Sequence, residues 1–283
     1  MVDLSIIPLL LCGGAGKRLS PLSTPGKPKQ FLPLVTDEPL LIDTMRRVDA
    51  PETFEMPVLL GNREHREILA QTLQRAGLSC FQIILEPMAR NTAPGLTAAL
   101  QHLQKSKGPH ALILALPCDH RISDVNTFRE NIREAAATAR SGAIVCFGIC
   151  PDRAETDYGY IQPNERLAPG AITRVRRFAE KPDSETAQGY LKAGYMWNSG
   201  IFLFTVETML AEIQTHHPEI PAGAQAALEA AQDGAQDVPN NCIELEAQSF
   251  AAMPALSIDH AVMEKTQRAC VMHACFGWAD IGA

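Results

Sequence analysis

Signals that define several common protein classes are missing from this 283-residue chain. There is no surplus of positive charge, because 25 Lys and Arg stand against 32 Asp and Glu and leave a net charge of −7. A nucleic acid or an anionic membrane favours a basic surface, so the composition argues against both as partners. No apolar stretch approaches the length of a transmembrane helix. With 46% hydrophobic and 20% charged residues, the composition is that of a compact soluble enzyme.

The eight cysteines lack the spacing of a metal site or a redox motif. None belongs to a Cys-x-x-Cys pair or to a zinc-like Cys/His pattern. A chain of this length needs no disulfide framework to fold, and cysteines within apolar runs, such as Cys146, behave as small hydrophobic residues. The segment before Cys12 is also unlike an export signal, since it carries Asp3 and no Lys or Arg. We therefore expect eight reduced thiols in a cytoplasmic protein.

The most informative feature is a glycine-rich loop that follows an apolar run. The run Ile6–Cys12 is typical of a buried strand, and it breaks into a loop with three glycines, namely Gly13, Gly14 and Gly16. Without Cβ atoms, these positions let the backbone wrap closely around a phosphate and direct N–H groups at it. Arg18 and Lys29 supply side-chain cations for the same anion.

The loop differs from the two best-known phosphate-binding loops. No Gly-Lys-Ser/Thr follows at the spacing of a Walker A loop, and Leu19 stands where a dinucleotide fold has its third glycine. A glycine pair after a strand is also often a simple tight turn. Arg18 and the Pro-Lys-Gln-Phe-Leu element at 28–32 favour phosphate binding over that alternative. Because it follows the loop, Lys29 is expected to lie outside the core.

Strand-like and helix-like segments alternate along the first half of the chain. Short apolar runs typical of buried parallel strands are Ile6–Cys12, Val58–Gly61, Ile83–Glu86, Ala111–Leu116 and Ala143–Gly148. Between them lie segments with helical spacing, at Leu40–Val48, Glu64–Arg75, Thr92–Gln104 and Thr127–Ala139. This alternation predicts an α/β fold with a doubly wound, mostly parallel but mixed sheet flanked by helices. Ligands of such a sheet gather beyond the carboxyl ends of its strands.

After about residue 151 the pattern changes. Strands joined by longer loops are predicted over Tyr158–Gln162, Ile172–Phe178 and Gly200–Val206. The polar residues 198–200 are expected to form a turn before the last of these strands. Helices are predicted at Glu185–Ala193 and, on the surface, at Ala222–Asp237. With no internal repeat and no clear linker, we expect one domain over 1–283, whose halves at about 1–150 and 151–283 form two walls of a cleft.

An acidic residue follows the strand that ends near residue 116. The carboxylate of Asp119 is expected to face the cleft, where it suits Mg²⁺, a hard cation that prefers oxygen ligands. The alternative is a cap for the next helix, since aspartate is a good N-cap. The phosphate loop nearby favours the metal. Because magnesium disfavours imidazole, His120 is expected to provide a supporting hydrogen bond.

A second polar loop lies at residues 86–94, which read Glu-Pro-Met-Ala-Arg-Asn-Thr-Ala-Pro. It follows a strand and opens a helix, and loops after strands present donors and acceptors edge-on to a planar ring. We interpret it as a nucleotide-base recognition loop. The alternative is that Asn91 or Thr92 merely caps the helix and that Arg90 is solvated.

Together these motifs resemble a known family. The glycine loop resembles that of sugar-nucleotide pyrophosphorylases, which commonly read Gly-Gly-x-Gly-x-Arg-Leu-x-Pro-Leu. Segment 86–94 is similar to the Glu-Pro-x-x-Arg-Asn-Thr-Ala-Pro element of mannose-1-phosphate guanylyltransferases. Further elements of that family match in order, at residues 158–161, 178–182, 198–202, 256–265 and 277–282. The resemblance therefore runs from Gly13 to Gly282.

The sequence departs from the family at a few places. Ser20 and Thr24 replace a tryptophan and an arginine that are common in the loop, which leaves the effect on substrate preference open. The family's C-terminal appendage and the cupin-type isomerase domain of its bifunctional members are expected to be absent from this chain, which ends shortly after Asp280.

The resemblance implies which residues act. The expected catalytic residues are Arg18, Lys29 and Asp119. The nucleotide would contact Leu11, Gly13, Gly14, Gly16, Arg18, Glu86, Arg90, Asn91 and Thr92. The sugar phosphate would contact Gly159, Glu180, Lys181 and Asn198, with the plain alternative that the Glu-Lys pair is an exposed ion pair on a strand. The metal would be held by Asp119 and Asp280. Ser257 is expected to cap a helix that begins near Asp259, so that motif is mainly structural.

The implied reaction converts mannose 1-phosphate and GTP into GDP-mannose and pyrophosphate, with Mg²⁺ as cofactor and with an in-line attack on the α-phosphate. Neither a nucleic acid nor a membrane is an expected partner.

Two alternatives stay open. One is a pyrophosphorylase for another base or hexose, such as a glucose- or heptose-phosphate nucleotidyltransferase. The other is a nucleotide-sugar-binding regulator that has lost catalysis. The sequence leaves the oligomeric state open, including a homo-oligomer.

Overall fold

A computed structural model describes residues 4–14, 19–233 and 242–282 of the chain. In chain order its strands are β1 Ile6–Leu11, β2 Val58–Asn62, β3 Gln82–Glu86, β4 Leu112–Pro117, β5 His120–Ile122, β6 Ile144–Ile149, β7 Tyr160–Pro163, β8 Ile172–Ala179, β9 Met196–Thr205, β10 Gln232–Asp233, β11 Cys242–Glu244, β12 Ala269–Ala274 and β13 Trp278–Asp280. Within the described residues, eleven of them form one sheet in the order β10-β11-β3-β2-β1-β4-β9-β6-β12-β8-β7, and β5 pairs with β13 in a separate ribbon.

Helices cover both faces of this sheet. They are α1 Leu40–Arg47, α2 Arg66–Ala76, α3 Thr92–Lys107, α4 Val125–Arg140, α5 Ser184–Lys192, α6 Val206–His216, α7 Glu219–Glu229 and α8 Ala247–Ala252. One hydrophobic cluster joins Ile6 and Leu10 of β1 to α1, α2 and α4. A second cluster joins Ile7 and Leu9 to α3, α6 and α7. Because β1 is buried on both faces, its sequence is continuously apolar rather than alternating. The mixed α/β fold expected from the sequence is confirmed.

The first half of the chain builds the parallel part of the sheet. Strand β1 lies between β2 and β4 and runs parallel to both, so that Leu11 at its end is beside Leu60 and Pro117. Strand β3 continues the parallel order beyond β2. Neighbouring parallel strands end at the same edge, and the loops after β1, β3 and β4 therefore meet at one end of the sheet.

The second half is mainly antiparallel. Strand β9 lies between β4 and β6 and is antiparallel to both. Strand β8 is antiparallel to β12 and β7, and β7 also pairs with the beginning of β9, where Tyr160 is opposite Trp197. The strands from β9 to β7 therefore curl back on themselves and form a curved wall beside the parallel part.

The two largest differences in boundary from the sequence-based expectation are both in the second half of the chain. The strand expected at Gly200–Val206 already begins at Met196, so residues 198–200 lie within β9 rather than in a turn before it. Gly200 has a φ of 70°, its N–H donates to Asn198 Oδ1 at 3.0 Å, and the register against β6 shifts nearby. A polar Asn-Ser-Gly sequence thus forms an irregularity inside a strand, because the pairing with β6 resumes at Asn198 beyond it.

The helix expected at Ala222–Asp237 is shorter than predicted. Helix α7 ends at Glu229, and Gln232 and Asp233 form β10, which pairs with β11. The predicted part from 234 to 237 lies outside the described residues. Pairing with a strand distant in sequence ends the helical pattern here, which local composition does not reveal. Among the residues that the structure describes, no helix is both long and apolar enough to cross a membrane.

Candidate active site

The glycine loop leaves β1 at the carboxyl edge of the sheet. Gln30 is buried and holds the entry to the loop, because its Nε2 donates to the carbonyl oxygens of Cys12 at 2.9 Å and of Gly14 at 3.1 Å. Because Gln30 bonds both carbonyl groups, this side chain of the 28–32 element fixes the backbone at the beginning of the loop. Gly16 and Arg18, which sequence reasoning placed on the phosphate, lie outside the described residues.

Glu86 lies directly beneath this loop. It is the last residue of β3, is 6% exposed, and its Oε1 has no hydrogen-bond partner among the described residues. A Cβ at Gly13 would lie 3.3 Å from Oε2 of Glu86, and a Cβ at Gly95 in α3 would collide with Oε1. Burial raises the pKa of Glu86 to about 8, so its carboxyl group holds a proton at neutral pH. Two glycines therefore make room for a buried acid with unused hydrogen-bonding capacity.

The rest of the 86–94 loop is tied down by hydrogen bonds. Asn91 has a φ of 61° and caps α3, since its Oδ1 accepts from the N–H of Thr92 at 3.1 Å. Thr92 Oγ1 accepts from the N–H of Ile258 at 2.8 Å, and Arg90 donates to the carbonyl of Met253 at 3.0 Å. These contacts anchor the loop to the segment that follows α8. Asn91 is thus a helix cap, which the sequence left open as the alternative to base recognition. Arg90 and Thr92 in addition fix the loop next to Glu86.

The centre of the site is an ion cluster around Lys29. Its Nζ lies 3.1 Å from Asp119 Oδ2 and 2.7 Å from Asp280 Oδ1, and it donates to the carbonyl of Ile281 at 3.0 Å. Burial opposes the charge of this ammonium group, but the two carboxylates outweigh burial and raise the pKa of Lys29 above its ordinary value. The expectation that Lys29 lies outside the core is wrong, because Lys29 is only 6% exposed. Its carboxylate partners supply the reason that a lysine tolerates burial here.

Asp119 is not a helix cap. The N-cap of α4 is Asp124, whose Oδ1 accepts from the N–H of Thr127 at 3.0 Å. Asp119 instead follows β4 and faces Gly14 of the loop, where a Cβ would lie 3.8 Å from Oδ2 of Asp119. The structure therefore removes the capping alternative and leaves the carboxylate in the cleft.

A two-stranded ribbon brings Asp280 to the same place. In the antiparallel pairing of β13 with β5, Asp280 is opposite His120 and Trp278 is opposite Ile122. The side chain of Asp280 is 11% exposed, so this residue near the end of the described chain is neither frayed nor solvated. Asp119 and Asp280 are brought together as the sequence predicted, with Lys29 between them.

His120 lies against both carboxylates. Its Nε2 is 3.7 Å from Asp119 Oδ1 and 3.9 Å from Asp280 Oδ1, and its Nδ1 accepts from Trp278 Nε1 at 3.1 Å. Burial lowers the pKa of His120 despite the two neighbouring carboxylates, which keeps the imidazole neutral at pH 7. His120 lies where the expected supporting role would place it, but neither distance to a carboxylate is that of a direct hydrogen bond.

A cavity of about 450 Å³ opens beside the ion cluster. It is lined by residues of both halves of the chain, namely His120, Asp157, Tyr158, Gly159, Glu180, Lys181, Asn198, Ser199, Gly200, Asp259, Trp278 and Asp280. Asn198 Nδ2 donates to Asp259 Oδ1 at 2.9 Å, and the Asn198 N–H donates to the carbonyl of Gly159 at 2.8 Å. All four residues expected to contact a sugar phosphate therefore line a single cavity.

Glu180 and Lys181 meet the cavity in different ways. Their side chains form an ion pair of 3.0 Å, which is the exposed pair that the sequence left open as an alternative. Only Lys181 is exposed, however, since its side chain is 60% exposed and that of Glu180 is 9% exposed. Lys181 has a φ of 46°, which turns the chain at the rim. A Cβ at Gly159 would approach Oε2 of Glu180 to 2.6 Å and Cβ of Asn198 to 3.1 Å, so only glycine leaves both side chains in place.

Three residues of the site were missed by sequence reasoning. Gln30 received no role, although it stands next to Lys29 in the quoted motif. Asp259 was left as part of a structural motif. Ser257 Oγ does accept from the N–H of His260 at 3.2 Å, yet Asp259 itself enters the cavity, where burial and then the nearby Glu180 raise its pKa. Trp278 lies in the matched segment 277–282 without an expected role, and its hydrogen bond to His120 depends on a strand pairing that the sequence does not reveal.

The site offers two carboxylates to a divalent cation. No cluster of three or more His, Cys, Asp or Glu side chains suited to a metal occurs in the described ranges. Two carboxylates nevertheless converge on one cationic atom, Lys29 Nζ, so a single point is already within reach of both Asp119 and Asp280. Carboxylate oxygens are the ligands of a hard cation, and a metal bound by two carboxylates with substrate phosphates is typical of magnesium. The residues present fit such an ion.

Comparison with known proteins agrees with this cleft. The family model for nucleotidyl transferases matches residues 7–283, and the chain belongs to this nucleotidyltransferase family. The protein is 43% identical over 279 residues to the xanthan biosynthesis protein XanB of Xanthomonas campestris pv. campestris (strain ATCC 33913), across 98% of this chain and 58% of that one. It is 40% identical over 288 residues to the mannose-1-phosphate guanylyltransferase of Escherichia coli K12, across 100% of this chain and 59% of that one.

A solved structure supports the same family. A Thermus thermophilus protein described as a mannose-1-phosphate geranyltransferase has a TM-score of 0.81 and 31% identity, across 98% of this chain and 76% of that one. The present chain spans less than three fifths of the length of the XanB and E. coli proteins. Nucleotidyltransferases of this kind generally use a divalent metal.

Proposed function

We propose that the protein is a mannose-1-phosphate guanylyltransferase, which makes GDP-mannose and pyrophosphate from mannose 1-phosphate and GTP. The observation that carries this proposal is the bond of Lys29 Nζ to both Asp119 and Asp280, at the junction of a glycine loop and a polar cavity. A cation and two carboxylates at that junction suit the transfer of a nucleotidyl group between two anionic reactants, since catalysis then rests on positioning and electrostatics.

The nucleotide is assigned to the carboxyl edge of the parallel strands. Leu11, Gly13 and Gly14 begin the loop that would cradle the triphosphate. Gly16 and Arg18 complete it on the strength of their motif alone. Lys29 would then neutralise charge around the α-phosphate.

Glu86 is assigned to the base. Guanine offers an N1–H and an exocyclic amine as donors, and Glu86 has a buried oxygen with unused capacity to accept. Its carboxyl would give up its proton to accept these donors. Arg90, Asn91 and Thr92 are assigned to the same loop, which they hold in place.

The sugar phosphate is assigned to the cavity. Glu180, Asn198 and Asp259 present carboxylate and amide groups that suit sugar hydroxyls, and the backbone at Gly159 permits a close approach. Lys181 at the rim would hold the phosphate. Its exposed ammonium group can leave Glu180 for a substrate at low cost, because surface ion pairs are weak.

In the proposed reaction a phosphate oxygen of mannose 1-phosphate forms a new bond to the α-phosphorus of GTP. The bond from that phosphorus to the bridging oxygen breaks, and pyrophosphate leaves with the electron pair. Asp119 and Asp280 would hold a divalent cation, which we take to be Mg²⁺, and the bound ion would neutralise phosphate charge between the two subsites. The residues of the chain need supply no nucleophile, so no cysteine is assigned to the chemistry.

The test is the release of pyrophosphate from GTP and mannose 1-phosphate by the purified protein. We expect turnover with this pair and slower turnover when ATP, UTP or glucose 1-phosphate replaces one substrate. Preference for another pair would reassign the protein to the alternative of a different pyrophosphorylase. Binding of GDP-mannose without any pyrophosphate release would support a regulator that has lost catalysis. The identity of about 40% to relatives named mannose-1-phosphate guanylyltransferase supports neither a different pyrophosphorylase nor a regulator without catalysis.

A further inference from the structure

Among the described residues, the His120 side chain has a hydrogen-bond partner on only one of its ring nitrogens. Nδ1 lies 3.1 Å from the indole nitrogen of Trp278, and the two rings meet edge to face with centroids 5.2 Å apart. On the opposite side of the ring, Nε2 faces the oxygens of Asp119 and Asp280 at 3.7 and 3.9 Å. The imidazole therefore bridges an indole and a carboxylate pair.

The partner on Nδ1 decides the tautomer. An indole N–H can only donate, so Nδ1 must present its lone pair and cannot carry a proton. This excludes the imidazolium form as well as the Nδ1–H tautomer. The single ring proton of His120 is therefore on Nε2 and points towards Asp119 and Asp280.

The ribbon of β5 and β13 keeps this arrangement in place. His120 and Asp280 are directly opposite each other, and Trp278 lies two residues before Asp280 on the same strand. Side chains alternate between the faces of a strand, so His120, Trp278 and Asp280 share one face of the ribbon. Arg47 of α1 also holds the ribbon in place, since its guanidinium donates to the carbonyl of His120 at 3.1 Å.

We propose that His120 is a positioning residue, which Trp278 fixes as the Nε2–H tautomer so that this N–H orients the carboxylates of Asp119 and Asp280. The two distances exceed those of a direct hydrogen bond. Such contacts often tighten when ligands bind. Asp119 presents Oδ1 to His120 and Oδ2 to Lys29, whereas Asp280 presents the same Oδ1 to both. These contacts would hold the two carboxylates around one cation. This last consequence rests on the proposed function, whereas the tautomer does not.

The tautomer is tested by nitrogen NMR of the unliganded protein with ¹⁵N-labelled histidine. The signals of His120 are assigned by their loss in His120→Gln. We expect a neutral ring with the proton on Nε2 in the wild type, and a mixture of both tautomers in Trp278→Phe, which keeps an aromatic ring and removes the indole N–H. A proton on Nδ1 in the wild type, or an unchanged spectrum in Trp278→Phe, would overturn the proposal.

Trp197→Phe is the matched control. Trp197 is also buried, but its Nε1 has no hydrogen-bond partner among the described residues. Removing that N–H should leave the His120 signals unchanged. A shift towards mixed tautomers in this control as well would show that loosened packing, not the lost hydrogen bond, governs the ring, and would overturn the assignment to Trp278.

The positioning role is tested by the Mg²⁺ dependence of turnover. His120→Leu should raise the Mg²⁺ concentration for half-maximal turnover about ten- to a hundredfold, the scale for losing a group that orients a metal ligand. His120→Gln, whose amide N–H can replace Nε2–H, should recover most of this loss. His273→Leu, a half-buried histidine of β12 bonded to the carbonyl of Leu167, should behave as the wild type.

Two results would contradict the positioning role. One is a Mg²⁺ dependence in His120→Leu like that of the wild type. The other is a loss in His120→Gln as large as in His120→Leu at equal melting temperatures, because a purely structural histidine would not distinguish a donor from a hydrocarbon. If the wild type makes no GDP-mannose, the proposed function fails, while the nitrogen spectra still decide whether Trp278 fixes the ring of His120.

Discussion

The two walls of the cleft are built in opposite ways; we call them the nucleotide wall and the sugar wall after the ligands that we propose for them. The nucleotide wall, formed by the loops after β1, β3 and β4, follows parallel strands within the first 120 residues, and each motif is contiguous in sequence. The sugar wall, formed by residues that line the cavity, collects side chains from the segment after β8, from β9 and from the segment at 259. Parallel strands bring successive loops to one edge automatically. The antiparallel half reaches the same end only by curling β7 back onto β9.

The two walls also differ in how their polar groups are satisfied. In the sugar wall, Asn198 is bonded to Asp259, and Glu180 is paired with Lys181. In the nucleotide wall, Glu86 keeps a buried oxygen without a partner in the described part of the chain. The polar side chains named in the sugar wall are therefore bonded to one another, whereas Glu86 in the nucleotide wall is left to bond a ligand. A substitution of Glu86 should consequently act on the nucleotide alone.

The largest effect is expected where the two walls meet. Replacing Asp119 or Asp280 by Ala should lower Mg²⁺-dependent turnover on the order of a thousandfold, because several kcal/mol of charge stabilisation would be lost. The double variant should be little slower than either single one, since both carboxylates act on one ion. Initial rates of pyrophosphate release measure this. Nearly full activity in Asp280→Ala, or additive losses in the double variant, would mean that Asp119 and Asp280 do not act on one shared ion.

Lys29 should come next. Lys29→Met keeps the apolar stem and removes the charge, and we expect turnover to fall roughly ten- to a thousandfold at saturating substrates. In metal-free buffer the variant should also lose up to about 3–5 kcal/mol of unfolding free energy, because two partly buried carboxylates lose their cation. Lys27→Met, an exposed neighbour, is the control and should change neither quantity. Turnover like that of the wild type in Lys29→Met would remove this residue from the chemistry.

Glu86 tests the nucleotide wall alone. A buried acceptor that loses its donors costs about 1–3 kcal/mol, which predicts a roughly ten- to hundredfold preference for GTP over ATP. Glu86→Gln should reduce that preference and leave the KM for mannose 1-phosphate unchanged. Ratios of kcat/KM for the two nucleotides are the measurement. Equal use of GTP and ATP by the wild type would contradict the assignment of Glu86 to the base.

The same residue predicts a pH dependence of stability. Burial raises the pKa of Glu86 from its ordinary value of 4.5 to about 8, so between these values the folded state binds one proton more than the unfolded state. Stability from this group therefore falls as pH rises through that window and levels off above it. The melting temperature of Glu86→Gln minus that of the wild type should therefore increase as the pH rises across the same window. Glu67→Gln, on the exposed side of α2, should show no such gain, and a constant difference for Glu86→Gln would refute the effect.

Gly159 gives the smallest effect and tests the sugar wall alone. In Gly159→Ala the new methyl group crowds Glu180 and Asn198, so the KM for mannose 1-phosphate should rise roughly tenfold, the scale of a displaced hydrogen bond. The KM for GTP should stay the same. Gly189→Ala is the control, because a Cβ there meets nothing within 4 Å, and alanine within α5 should stabilise the protein by about 0.5–1 kcal/mol. A rise in the KM for GTP instead would mean that the walls are not independent.

The accuracy of the sequence-based expectations differs between the walls in the same way. The strands of the parallel half were placed to within about two residues, because continuous apolar runs mark strands buried on both faces. In the second half, the beginning of β9 and the end of the helix before β10 were misplaced, because an irregularity in one and a pairing with β11 in the other depend on distant strands.

The candidate site shows the same division. The convergence of Asp119 and Asp280 was predicted correctly from motifs. The burial of Lys29 was not, because the carboxylates that permit it come from residues 90 or more positions away in the printed sequence. Gln30 and Asp259 were overlooked, since an amide or a carboxylate on its own carries no signal of what it will bond.

The sequence by itself determined the glycine loop, the family-specific segment at 86–94 and the α/β alternation, because glycine placement, apolar periodicity and local motifs are properties of neighbouring residues. Only the tertiary structure decided that Lys29 is buried between two carboxylates, that Asp124 and not Asp119 caps α4, and that Trp278 fixes the ring of His120. These outcomes depend on pairings such as that of β5 with β13, between segments far apart in sequence. Burial and hydrogen-bond partners are set when such segments pack, and packing is a property of the whole chain.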